Sequence, residues 1–394
     1  MNRRQLLVRA VALAAVPLSG PTRAAVESLA GRGGEYPGPA PSVSGGASEA
    51  GEVTYLGAGS VSKSAHFLLG LDARHRVRYR IPVPGRGHGI SWHPAGGLAV
   101  AVARRPGRWL LVFDTRDGRV VSRAQAPEGR HFQGHAVFSD DGTRIMVSTN
   151  DLVRERGAIS VYGLDHAGPR WLGEWDSGGV GPHEILALPG DRLAVCNGGL
   201  LTRPESGRRV LNLDTMHSNL SVLDATDGAL LRSHVLDERW RLASIRHMSL
   251  LAGGDIAVGM QFQGDSRGES PLVALARPNS ESLTPLWAPD GEQRALKDYC
   301  GSVRASADGE SFAITSPRGN RAQAWSRTGT LLEVTKLRDV CGIAARAEGG
   351  WVLSDGLGRS HEWVPGSPPR TLVEAGEGSI AHWDNHLGNN SPGG

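Results

Sequence analysis

Two interleaved signals recur seven times along this chain, and their spacing leaves few folds open. In the first, a short apolar strand runs into a tight turn behind an anchor residue: Leu71, Phe113, Tyr162, Leu223, Leu275, Trp325 and Trp363. Successive anchors lie 42, 49, 61, 52, 50 and 38 residues apart. The second signal sets a His or Cys close to a small residue or a turn, at His88, His135, His183, His247, Cys300, Cys341 and His386, in strict alternation with the first. A period of roughly forty to fifty residues with about four short strands in each is the pattern of propeller blades.

The expected fold is therefore all-β, a seven-bladed β-propeller, and radial repetition allows all of it to be one domain. A chain of 394 residues with 39% apolar content, 54 Gly and 23 Pro suits short strands joined by tight turns. The interval from His88 to Ala126 shows one whole blade: GISWH, a PAGG turn, LAVAVA, WLLVFD, a TRDG turn and VVSRAQA. The strands from Val53 to Val83 lack an inner strand before them, and the segment from Ser379 has none after it. Pairing the two termini would complete the seventh blade and remove a sheet edge.

The first residues, MNRRQLLVRAVALAAVPLSGPTRAA, carry a twin-arginine pair (Arg3, Arg4), an apolar run too short to span a bilayer, and small residues at Ala24 and Ala25. Residues 1–25 are thus expected to be a Tat export signal addressing the periplasm, with no membrane span in the mature protein. Residues 26–52, rich in Gly, Pro, Ser and Ala, are the expected linker, 53–388 the propeller and 389–394 a tail. Loss of the signal removes four arginines and no acid, taking the formal charge from +3 to −1. With three lysines and scattered arginines, the mature domain offers no nucleic-acid footprint.

In a propeller the innermost strands line the axis, so equivalent residues from seven blades converge. That places His88, His135, His183, His247 and His386 around one point, with Cys300 and Cys341 at equivalent register positions. Neutral imidazoles suit Fe, Cu or Zn, and Glu184, Asp384 and Asn385 are placed to ligate or to orient the rings. For the two cysteines a disulfide, thiolate ligation and inert core packing are all open. A structural role for the histidines also fits, because propellers of the WD class hold a hydrogen-bonding Gly-His there, as in Gly87-His88 and Gly134-His135. His382 is an alternative axial residue to His386. His66, His75, His93, His131, His166, His217, His234 and His361 fall outside the register and are expected to be solvated or capping residues. The tryptophans are expected to pack between blades. The longest interval holds an insertion, and the segment from Asn197 through Asn212, Thr215 and Met216 is a candidate lid or partner loop. No nucleophile elbow, HExxH, phosphate loop or haem-attachment motif is present in the sequence.

Arg86-Gly87-His88-Gly89, Gly134-His135, Gly181-Pro182-His183-Glu184, Asn197-Gly198-Gly199 through Thr215-Met216, Ile245-Arg246-His247, Asp339-Val340-Cys341-Gly342 and Trp383-Asp384-Asn385-His386 together resemble an exported bacterial family, domain of unknown function 1513. The resemblance implies a periplasmic propeller often encoded beside imelysin-type and dihaem peroxidase-like proteins in iron-acquisition loci, which are its implied partners. It implies no established activity. The leading expectation is a periplasmic propeller binding iron or copper at the axial histidines, in metal acquisition or handling. A non-catalytic interaction scaffold with structural histidines and a metal-dependent oxidoreductase are the alternatives.

Overall fold

The computed structural model describes residues 52–207, 209–264, 268–374 and 380–389. The expected signal, all but the last residue of the linker, and residues 390–394 lie outside them. The last strand runs to Asn389, one residue into the expected tail.

Among the described residues the strands form seven four-stranded antiparallel sheets, the blades of a propeller. Blades one to six are continuous in sequence, beginning with innermost strands Gly87–Trp92, Arg130–Phe138, Pro182–Leu188, Ala243–Leu250, Ser302–Ala305 and Val340–Ala345. Blade seven is composite. Its innermost strand, His382–Asn389, pairs antiparallel with Tyr55–Ser60, which leads through His66–Leu71 to Val77–Val83. The innermost strands touch their neighbours in a closed circuit, returning from blade seven to blade one.

Burial explains why the blades stack. Inner and middle strands are apolar on both faces, as in the fully buried WLLVFD of Trp109–Asp114, whereas the outer strand Val120–Gln125 alternates with solvent. Each sheet thus presents two apolar faces, and a neighbour covers each. Val100, Val102, Leu110 and Val112 of blade one meet Phe132, Phe138, Ile145 and Tyr162 of blade two. Trp325, Trp351 and Trp363 are fully buried, whereas Trp171 and Trp287 are exposed, so only some tryptophans serve between blades.

All three cysteines are free and buried. Cys300 packs with Val273, Phe312 and Trp325, and Cys341 with Tyr55, Leu71 and Val352. Burial pushes both thiols up to about 12, and their apolar packing, with neither in a candidate metal-ligand group among the described residues, favours the reading as small core residues over the disulfide and thiolate ones.

Three histidines expected as solvated or capping residues are buried instead: His75, His234 and His361. His75 lies with its ring centroid 5.5 Å from both Tyr55 and Trp383, where the two termini meet, and neither ring nitrogen has a partner among the described residues. Burial lowers its pKa from 6.5 to about 3, despite the nearby Asp72. Between those values the unfolded chain holds a proton that the folded chain refuses, so stability is full above 6.5 and is lost on acidification. His75→Asn, suited to the left-handed backbone there (φ 64°), is expected to lessen the loss in unfolding free energy between pH 7 and 4.5 by roughly 2–3 kcal/mol, measured by urea titration at both pH values. An unchanged pH dependence refutes this assignment.

Candidate metal centre

The register residues reach the axis because the innermost strands are irregular. Between Gly87 and Ile90, His88 and Gly89 drop out of the ladder as a β-bulge. Gln133, Gly134 and His135 do so between Phe132 and Ala136, and His183 and Glu184 between Pro182 and Ile185. The ladder of blade four slips by one residue between Ile245 and His247, and that of blade seven opens between Trp383 and Leu387, freeing His386. A bulge turns a side chain out of the alternating pattern, and here it turns each imidazole toward the axis. Close backbone approach makes this feasible: a Cβ on Gly89 would sit 2.7 Å from the Gly134 carbonyl, and one on Gly134 would strike the His88 ring.

The five rings form one cluster. Centroids lie 4.4 Å apart for His88 and His386, 4.7 Å for His135 and His386, 4.9 Å for His135 and His183, and 5.1 Å for His183 and His247. One nitrogen from each of His88, His135, His183 and His386 lies within 4.8 Å of all the others, and His135, Glu184 and His247 form a second such group. Two nitrogens on opposite sides of one ion, at bonds of about 2.0–2.1 Å, stand at most about 4.2 Å apart, so small ring movements suffice.

The hydrogen bonds orient the lone pairs. His183 donates Nδ1–H to the Gln133 carbonyl at 3.1 Å, and His247 donates Nδ1–H to Glu184 Oε2 at 3.1 Å. In each neutral ring Nε2 remains as an acceptor. Glu184 also accepts from the Met248 amide at 3.2 Å, which completes a carboxylate–imidazole relay of the kind that steadies metal-binding histidines. Neither nitrogen of His88, nor Nε2 of His135 or His386, has a hydrogen-bond partner among the described residues, although all are buried. A structural Gly-His of the WD type would be satisfied by hydrogen bonds, and His88 is not.

The electrostatics keep the rings ready. Burial holds His88, His183 and His386 well below the ordinary imidazole range and lowers His135 to about 4. His247 is lowered by burial against the pull of Glu184. Burial alone would raise Glu184, but the hydrogen bond from His247 and the positive charge of Arg304 outweigh it, and its pKa is lowered. At neutral pH the hub is therefore a set of neutral imidazoles with one carboxylate, whose charge the buried Arg304 guanidinium partly balances, and the imidazoles are in the protonation state a cation requires.

The structure does not bring every expected residue here. Cys300 and Cys341 sit in apolar layers, and in blade five Ser302 faces the cluster, its hydroxyl 3.4 Å from His386 Nδ1. His382 is exposed and bonds the Gly356 carbonyl, leaving the axis to His386. Among the described residues Asp384 binds no imidazole. It takes Arg86 and Arg104 in an ion-paired cluster that pins the bulge of blade seven. Asn197 is a buried strand end bonded to Ser177 and Ser221. Asn212 ties the insertion together through the Leu201 amide and the Gly199 carbonyl, Met216 anchors it in the core, and Thr215 is exposed. Asn212 and Met216 brace the insertion, and its face toward the axis comes from Leu200, Thr202, Arg203, Pro204 and Val210.

That face closes over a cavity of about 450 Å³, whose walls include His88, His183, His247, Gln133, Asn385 and five arginines: Arg104, Arg105, Arg203, Arg246 and Arg318. The arginines look scattered because, apart from the adjacent Arg104 and Arg105, they come from different blades, with no common spacing in the sequence.

Fold and site together define a seven-bladed propeller with a histidine-lined hub. The chain belongs to the family described as protein of unknown function (DUF1513), whose model matches residues 81–389. No curated protein matches it. Among solved structures it is similar to the β-propeller domain of Cps50 (Swd1) from Myceliophteria thermophila, at 12% identity and a TM-score of 0.53, over 84% of this chain and 99% of that one. At that identity the likeness concerns the fold alone. Among the described residues no helix is long and apolar enough to cross a membrane.

Proposed function

We propose that this protein binds one transition-metal ion, iron or copper, at the propeller hub, and serves metal acquisition or handling in the periplasm after Tat export. His88, His135, His183 and His386 are the ligands, with His247 and Glu184 completing or steadying the set. The observation that carries the reading is the convergence of four buried imidazole nitrogens within 4.8 Å of one another, several without any other partner among the described residues. Nitrogen donors favour Fe, Cu or Zn over Mg or Ca, which prefer oxygen. The twin-arginine leader supports export of a folded, loaded protein.

Elemental analysis of protein recovered from the periplasm, followed by chelation and titration with Fe(II) and Cu(II), tests this. One ion per chain is expected. A chain isolated without metal that also fails to take up either ion would refute the reading.

A further inference from the structure

We propose that the cavity over the hub is a binding site for a small organic polycarboxylate, held by the guanidinium groups of Arg246 and Arg318. The inference goes beyond the metal reading and does not require the ion, since its clamp contains no histidine.

The charges in the cavity do not cancel. Arg104 is engaged by Asp384, and Arg203 by Glu155 at 2.5 Å and by Glu205 at 3.9 Å. Arg105 rests on the Thr202 hydroxyl. Among the described residues, no carboxylate lines the cavity and none pairs with Arg246 or Arg318. Arg246 is flanked by Arg104 and Arg105, its Nε is buried without a partner, and it lies on the same wall as His247. Arg318 is held at the rim with its guanidinium 4.4 Å over the Tyr299 ring. A shielded guanidinium without a counter-charge is costly, and it cannot shed its proton at neutral pH. An entering anion would relieve that cost.

Size and shape narrow the class. A volume of about 450 Å³ equals roughly fifteen waters at ~30 Å³ each, more than an inorganic oxyanion fills, and it lies in the range of small-molecule pockets. Planar guanidinium forks match carboxylates in pairs of parallel hydrogen bonds. Side-chain amides of Gln133, Gln263 and Asn385 add neutral polar groups, while Leu200 and Val210 offer apolar contact to a carbon backbone.

Calorimetric titration of the metal-free protein with propane-1,2,3-tricarboxylate, succinate, inorganic phosphate and glycerol tests the proposal. The tricarboxylate is expected to bind most tightly, succinate and phosphate more weakly, and glycerol not at all. Arg246→Gln and Arg318→Gln should each weaken the tricarboxylate by at least about 30-fold. Arg318 is exposed, so its variant folds normally, and Arg246→Gln should melt no lower than the parent because it removes an unpaired shielded charge. Absence of tricarboxylate binding, binding by either variant as tight as by the parent, or phosphate binding as tight as the tricarboxylate would overturn the proposal. Anion uptake by a chain that takes no metal leaves this inference standing and removes the metal reading, and metal uptake without the anion does the reverse.

Discussion

His88→Leu is expected to lower metal affinity by at least about 100-fold and, in the metal-free protein, to raise the melting temperature by about 2–4 °C. The two halves of this result come from one fact. His88 is buried against His386, His135 and His183, and neither of its nitrogens finds a hydrogen-bond partner among the described residues. Burying an unsatisfied polar ring costs on the order of 1–3 kcal/mol, a cost that a similarly sized apolar side chain avoids. A residue that stabilises the fold only when an ion is present should behave in this way. Metal content measured by elemental analysis, with melting followed by circular dichroism, separates the alternatives. If His88→Leu lowers the stability of the metal-free chain and leaves metal content unchanged, the histidines are structural and the scaffold reading prevails.

Ending the chain after Glu374 is expected to abolish the soluble folded monomer. The lost segment carries the innermost strand of blade seven, including buried Ile380, Trp383 and Leu387, and its pairing with Tyr55–Ser60. Removing one large core side chain costs about 2–5 kcal/mol, so the three together cost about 10 kcal/mol, comparable with the whole stability of a domain at ~5–15 kcal/mol. The strand Tyr55–Ser60, buried along its length, would become an open edge able to pair with other chains. Sedimentation should show aggregates, and a peptide of residues 380–389 added in trans should restore a monomeric, cooperatively melting species. A truncated chain that stays monomeric and melts within a few degrees of the parent would show that this closure contributes little.

Much of the architecture is legible in the sequence. Anchors such as Phe113, Tyr162 and Trp325 mark equivalent strands, and the orphaned strands at Tyr55 and His382 announce the closing blade. The five axial histidines were legible by symmetry alone, since equivalent register positions in a ring must converge. The same argument misplaced Cys300 and Cys341. Register gives a residue's place along a strand, whereas the local bulge decides whether its side chain faces the axis or the layer between blades. In blade five the innermost strand begins only at Ser302, beyond Cys300, and it is Ser302 that meets His386. His75 was misread because nothing in its own segment reveals that Trp383, more than three hundred residues away, closes over it.

Alternation of apolar and polar residues, turn chemistry at fixed intervals and the repeat period are properties of neighbours in the chain. They suffice to determine strands, blades, blade number and ring closure, and hence which residues share the axis. Which of those side chains meet, which nitrogens stay unpartnered, and that arginines from separate blades surround one cavity were decided by the tertiary structure. Bulge geometry and charge juxtaposition arise from packing between distant segments, and no local pattern encodes them.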